Sequence, residues 1–208
     1  MLGSNGERQL QVEYGSDKRA QAFYNNQMLD HLNEMMQRFI EKQELMFIST
    51  SDADGNCDSS FRAGNPGFLR VIDSGRVMYP EYRGNGVYAS LGNIKENPHI
   101  GLMLIDFYVD CIGLHINGYA QIIENEQLPS FLSLSDQMWE EILVAEMKRP
   151  ERWVVVDVHE AYIHCSKHIP LLEKKDKTIH WGTDDQILKG GNYFATKQSN
   201  KEKAENSF

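Results

Sequence analysis

Positive charge is scarce in this sequence. Lysine and arginine number 21 against 30 aspartates and glutamates, for a net charge of −9 at neutral pH. A surface that neutralises phosphates must be basic, so nucleic-acid binding is excluded as the expectation. No apolar run approaches the roughly 20 residues of a membrane span, and the first twenty residues hold no apolar core of a secretory signal. Cysteine is sparse too: Cys57, Cys111 and Cys165 stand far apart without metal-site spacing, and three cannot all pair within one chain. Reduced thiols in a cytoplasm are expected. His99, His115, His159, His164, His168 and His180 are scattered, with no H-E-x-x-H or paired-cysteine pattern and no G-x-S-x-G elbow. His164 and Cys165 are neighbours on one strand and so point to opposite faces, which removes them as a nucleophile pair. No metal site and no catalytic acid or base emerges, and a bound cofactor is left to carry any reaction.

What remains is a globular composition, 41% hydrophobic and 25% charged over 208 residues, long enough for one domain with extensions. Residues 1–44 read as an N-terminal extension: a polar arm to residue 16, then a helical pattern through Phe23, Met28, Leu32, Met36 and Ile40, divided near Asn25-Asn26. Leu45–Thr50 and Cys57–Arg62 form a hairpin across Asp52-Ala53-Asp54-Gly55. Phe68–Ile72 and Arg76–Tyr79 form a second hairpin across Asp73-Ser74-Gly75. Ile112–Ile123 alternates apolar and polar, with Gly118 marking a bulge or a close approach. A helix follows over Pro129–Met147, then a last strand over Trp153–Cys165. Residues 168–208 form a polar extension anchored by Trp181, whose final dozen residues read as disordered. Six or seven strands with short interrupting helices predict a mainly β, antiparallel barrel with flanking helices, not a Rossmann sheet.

One stretch organises the chain: Arg76–Phe107, RVMYPEYRGNGVYASLGNIKENPHIGLMLIDF. It reads as strand, glycine-rich turn, short helix and strand. Gly84 and Gly86 permit positive φ and close backbone approach. The helix that follows offers unpaired N–H groups and the positive end of its dipole, where an anion is stabilised. Arg83 adds charge and Ser90 a hydroxyl. On residues alone, a phosphate cradle and an ordinary turn both fit.

The segments FISTSDADGNCDSSFRAGNPGFLRV, YPEYRGNGVYASLGNIKENPHIGLMLIDF, GLHINGYAQII and YIHC together resemble the pyridoxamine 5′-phosphate oxidase-like family of FMN-binding split-barrel proteins. The resemblance covers residues 45–167. It implies a six-stranded antiparallel Greek-key split barrel and a homodimer with FMN at each of two subunit interfaces. Carried over by position, Phe68, Leu69, Arg70 and Val71 would run along the isoalloxazine ring. Ser60 and Arg62 would face flavin or phosphate, and Tyr82, Arg83, Asn85, Gly86, Val87 and Ser90 would form the phosphate-and-ribityl loop. The vitamin-processing oxidases usually open this helix with two basic residues where this chain has Gly86, Val87 and Tyr88. Their C-terminal tryptophan–arginine motif is also missing, since no arginine follows Trp181.

The resemblance therefore implies a cytoplasmic FMN-dependent oxidoreductase acting on a small molecule of unspecified identity. The alternatives are a non-catalytic module holding flavin or another phosphorylated ligand, and a dimerisation domain with an empty cleft. Arg83→Ala combined with Ser90→Ala is expected to weaken FMN binding about tenfold or more per site, since a charge-assisted hydrogen bond contributes about 1.5–3 kcal/mol. Titration of flavin fluorescence checks this, and unchanged affinity would place the phosphate elsewhere.

Overall fold

The computed structural model describes residues 3–147, 149–180, 183, 185–190 and 193–205. By internal contacts the chain divides into residues 1–174 and residues 175–208. The second unit holds a turn at 186–190 and helix α7, Thr196–Glu205, so a helix stands where disorder was expected. The tryptophan anchor expected at position 181 lies outside the described residues.

The first unit opens with two helices. Ser4 caps α1 (Asn5–Glu13) by accepting the Glu7 N–H, so part of the expected polar arm is helical. α2 (Asp17–Gln27) packs against it, and Tyr24 donates to Glu7 across the pair at 3.0 Å. The predicted break near Asn25-Asn26 comes two residues later, where Met28–Leu29 leave the helix as strand β1. α3 (Glu34–Ile40) begins at Asn33, whose side chain accepts the Met36 N–H. The predicted apolar stripe buries Leu32 and Ile40 fully, while Met35 faces solvent.

Seven more strands follow: β2 (Leu45–Ser51), β3 (Cys57–Ala63), β4 (Arg70–Asp73), β5 (Arg76–Tyr82), β6 (His99–Ile105), β7 (Gly113–Glu124) and β8 (Pro150–His164). Helix α4 (Ala89–Glu96) joins β5 to β6. The helix predicted after β7 is two pieces, α5 (Leu128–Phe131) and α6 (Asp136–Ala145), separated at Ser133 with its φ of 55°.

All strand pairings are antiparallel. The sheet runs β3-β2-β6-β7-β8-β5-β4, and β1 joins the far end of β8. Among the described residues this makes eight strands in one open sheet, seven along the path and β1 beside it, not the six of a closed barrel. Two features account for the difference. The N-terminal segment adds β1 to the half of β8 that β5 leaves unpaired. The β3 and β4 edges make no ladder with each other.

The path still curls. Met46 and Ile48 of β2 share one core cluster with Val77 and Tyr79 of β5, although three strands stand between them. Gln43, Leu91 and Ile94 are also buried, and α4 closes on β2, β3 and β7. A second cluster gathers Met78, Trp153 and Val155 under α5 and α6, with Trp139 packed against Trp153.

The β7–β8 register shifts between Asn117 and Gly118, as a bulge requires. A Cβ at Gly118 would stand 2.1 Å from the Asp157 carbonyl oxygen. Gly118→Ala is therefore expected to destabilise the protein by about 1–3 kcal/mol through overpacking, read as a lower urea midpoint. An unchanged midpoint would show that the β8 backbone yields freely there.

Candidate functional site

A strand alternates its faces, so Asp58, Ser60 and Arg62 share one side of β3. All three are half-buried, whereas Cys57, Ser59 and Phe61 point to solvent. Asp58 and Arg62 each meet a partner from another element, and Arg62 also holds Ser60. The Ser90 hydroxyl, buried in the first turn of α4, donates to Asp58 Oδ2 at 2.8 Å. Arg62 Nη1 donates to Ser60 Oγ at 2.7 Å, and its Nε donates to Glu81 Oε1 at 2.8 Å. The Arg62 and Glu81 side chains are 19% and 10% exposed, so this ion pair lies largely out of water. Burial pushes the Glu81 carboxyl up, further than the adjacent Arg62 guanidinium pulls it down. The Tyr79 hydroxyl, fully buried, makes no hydrogen bond, and burial raises it above the ordinary phenol range.

The glycine-rich turn spans 83–88 and is exposed throughout. Gly86 has φ 82° and Tyr88, at the helix N-cap, has φ 56°, with no side chain capping α4. Asn85 Oδ1 accepts the Val87 N–H. Both flanks of the turn are held by aromatic rings under arginines. Arg149 lies 5.3 Å from the Tyr82 ring centre, and Arg152 lies 5.3 Å from the Tyr88 ring centre. Tyr82 also donates to Glu146 Oε2 at 2.5 Å, and burial followed by that hydrogen bond raises its phenol. Glu146, buried at the C-terminal end of α6, accepts from Arg70 Nη2 at 2.7 Å as well.

The twelve residues expected at a flavin site thus fall into four places. Ser60 and Arg62 lie on the inner β3 face, where Arg62 bonds Ser60 and Glu81, and Ser90 reaches that face from α4 through Asp58. Arg83, Asn85, Gly86 and Val87 form the adjacent exposed turn. Arg70 and Tyr82 meet at Glu146. Phe68 and Leu69 are core side chains preceding β4, with Val71 packed against the same core. Phe68 and Leu69 thus start no strand: β4 begins only at Arg70, because Phe68 folds back onto Gly64, where even a Cβ would be 2.3 Å from it.

The sequence reading missed three carboxylates. Asp58 was detectable from the period-two spacing with Ser60 and Arg62. Glu81 was hidden because β5 buries five successive residues after Arg76, which erases alternation. Glu146 gave no local signal, since its partners are 64 and 76 residues away.

A groove of about 680 Å³ opens over the outer face of the sheet at Ser49, Ser59, His99, Asn117 and Glu160, and reaches round to Asp58. Asn117 donates to Glu160 Oε2 at 3.1 Å, and Tyr119 sits edge-on between His99 and His159. Further along that face, His115 Nε2 and His164 Nδ1 are 3.0 Å apart, and Tyr162 stacks on His115. Burial and the neighbouring imidazole lower His115. Among the described residues, no three metal-ligating side chains gather at one point, and no helix is long and apolar enough to cross a membrane.

A family model described as pyridoxamine 5′-phosphate oxidase matches residues 32–165, well over half of the chain. No curated protein gives a significant match. Among solved structures, HupZ of Group A Streptococcus is 19% identical with a TM-score of 0.45, covering 62% of this chain and 90% of its own. A Clostridium acetobutylicum protein related to general stress protein 26, of the pyridoxinephosphate oxidase family, is 12% identical with a TM-score of 0.41, covering 61% and 83%. HutZ, the heme storage protein of Vibrio cholerae, is 14% identical with a TM-score of 0.41, covering 64% and 93%.

Glu146→Ala is expected to lower stability by about 1–3 kcal/mol, because it strips a partner from both Arg70 and Tyr82. Tyr82→Phe is expected to remove about 0.5–1.5 kcal/mol. The two losses should not add in a double-mutant cycle by urea unfolding. Strict additivity would show that the short Tyr82–Glu146 contact contributes nothing.

Proposed function

The chain belongs to the pyridoxamine 5′-phosphate oxidase family, and from that premise we propose that it is an FMN-binding flavoprotein that works as an FMN-dependent oxidoreductase on a small molecule. On this reading the curled sheet is the family's split barrel, two chains associate, and the flavin lies at their interface. The observation that carries the reading is the start of α4. Its first-turn N–H groups have no side-chain cap, Gly86 beside it adopts positive φ, and Ser90 lies inside the turn. A Cβ at Gly84 or Gly86 would meet nothing within 4 Å, so the approach is open. This donor set fits a phosphate.

The residues proposed to hold the phosphate are Arg83, Asn85, Gly86, Val87 and Ser90, with Ser60 and Arg62 completing the charge. Arg70 and Tyr82 act indirectly: bonded to Glu146, they fix the root of the turn. Phe68, Leu69 and Val71 support the floor from within the core. FMN, when bound, supplies the acceptor for a hydride or for electrons. Cationic and N–H donor groups near the pyrimidine edge would favour the reduced, anionic form.

A second reading, flavin or another phosphorylated ligand held without turnover, is favoured by one observation. No described side chain beside the turn is a free acid or base: Asp58, Glu81 and Glu146 each hold a donor. A flavin that binds yet is reduced by neither NADH nor NADPH under any substrate tested would support that reading.

The visible spectrum of purified protein incubated with FMN tests the proposal. Flavin absorbance retained through gel filtration is expected, and its absence would remove the proposal. Asp58→Asn is expected to tighten FMN binding several-fold, because it deletes a negative charge hydrogen-bonded to Ser90 where the phosphate would arrive. Weaker binding in that variant would mean that the anion sits away from α4.

A further inference from the structure

The Arg62–Glu81 pair poses a problem for any anion that needs Arg62. A buried carboxylate that loses its hydrogen-bonded cationic partner is costly, and such a group favours taking up a proton over remaining charged. We propose that Arg62 is exchanged between two anions: Glu81 holds it in the ligand-free protein, and an arriving phosphate monoester draws it away while Glu81 takes a proton from solvent. Binding is then coupled to proton uptake, and the site's affinity is set by pH. The inference rests on the flavoprotein reading above and deepens it.

Three observations support the exchange. Arg62 already turns back along β3, with Nη1 on Ser60. Residues two apart on a strand are about 7 Å apart, so the guanidinium at Ser60 stands one such step from Asp58 and its partner Ser90, a gap that a bound phosphate would bridge. Glu81 is 8% exposed, and burial already favours its neutral form against the pull of Arg62. Tyr79 offers the third: its hydroxyl is fully buried, has no hydrogen-bond partner, and feels the charges of both Glu81 and Arg62. A neutral Glu81 would leave that phenol beside an acid and no longer beside a charge. The groups facing Glu81 are Arg62 from β3, Tyr79 from its own strand and Arg152 from β8. Asp58 and Ser60 face Arg62 from β3. Among the protein's own groups, Glu81 alone gains a proton.

The experiment is isothermal calorimetry of the full chain with FMN, riboflavin and inorganic phosphate, each in two buffers of different ionisation enthalpy, between pH 6 and pH 8. FMN is expected to bring net proton uptake approaching one per site, with affinity rising up to about tenfold per unit fall in pH. Glu81→Gln keeps an acceptor for Arg62 but no titrating group, so the uptake should vanish, leaving only the proton release of a phosphate whose second pKa of about 6 is lowered beside cationic donors. Riboflavin, without the phosphate, should bring no uptake. If inorganic phosphate alone shows the linkage, the site recognises the free anion as well as the flavin's, and the exchange stands. FMN binding with equal uptake in the wild type and Glu81→Gln overturns the exchange and leaves the flavoprotein reading standing. Equal uptake with riboflavin and FMN in the wild type overturns it without relying on any variant. Failure of FMN to bind removes both.

Discussion

The contact on which the rest of the molecule depends is a side-chain bridge across a gap in the backbone ladder. β3 ends the sheet path on one side and β5 stands next to last on the other, and no hydrogen-bonded strand pairing joins the two. Arg62 and Glu81 meet there at 2.8 Å. This is possible because β5 outruns β4: pairing with β4 stops at Met78, and Tyr79–Tyr82 continue beyond it. An edge that would otherwise present unpaired backbone is met by a guanidinium and a carboxylate. Such a junction is weaker and more selective than a ladder, because it depends on a charge balance and not on main-chain geometry.

Along its whole length β5 is held by β8. Fifteen residues long, β8 pairs with β7 along one side; along the other it serves β5 in its first half and β1 in its second. Arg149, just before it, and Arg152, near its start, lie with their guanidiniums over Tyr82 and Tyr88 at either end of the glycine-rich turn. The turn is thus exposed but tethered at both roots, and Glu146 strengthens one tether. An anion site built from backbone N–H groups needs this arrangement: a mobile backbone would have to be ordered on binding, at about 1–2 kcal/mol per residue.

Much of this was legible in the sequence, and the reasons differ by residue. The hairpin of β2 and β3 announced itself because Asp52-Gly55 is a turn whose side chains feed their own backbone; Asp52 accepts from the Asp54 and Asn56 N–H groups. The bulge at Gly118 was visible because a glycine inside an alternating strand has few other causes. The helix after the glycine-rich turn was visible because Pro98 ends it. The start of β4 was misread at Phe68, since an apolar run does not say whether it lies in a ladder or folds against a glycine. Strand β1 was invisible, because two residues pairing with a strand more than 130 positions away leave no periodicity. The site residues were legible as polar groups near a turn. Their partners were not, because Asp58, Glu81 and Glu146 acquire meaning only when the sheet curls.

Those partners explain how a chain with nine excess negative charges can be expected to hold another anion. Net charge acts at long range and is screened within about 10 Å at ordinary ionic strength. At the mouth of α4 the balance is local: a helix dipole, uncapped N–H groups and Arg83 on one side, Asp58 on the other. Asp58 is the group that the vitamin-processing pattern of two basic residues would most strongly oppose, and here no such residues stand at Gly86, Val87 and Tyr88. A carboxylate at that position occupies part of the positive field while the site is empty and keeps the Ser90 hydroxyl oriented. The site holds its own internal anions, Asp58 on Ser90 and Glu81 on Arg62, and on the proposed reading an external anion competes with them. Affinity there is a difference between two sets of hydrogen bonds, so it responds to protons and to ligand charge more sharply than a site lined by permanent cations.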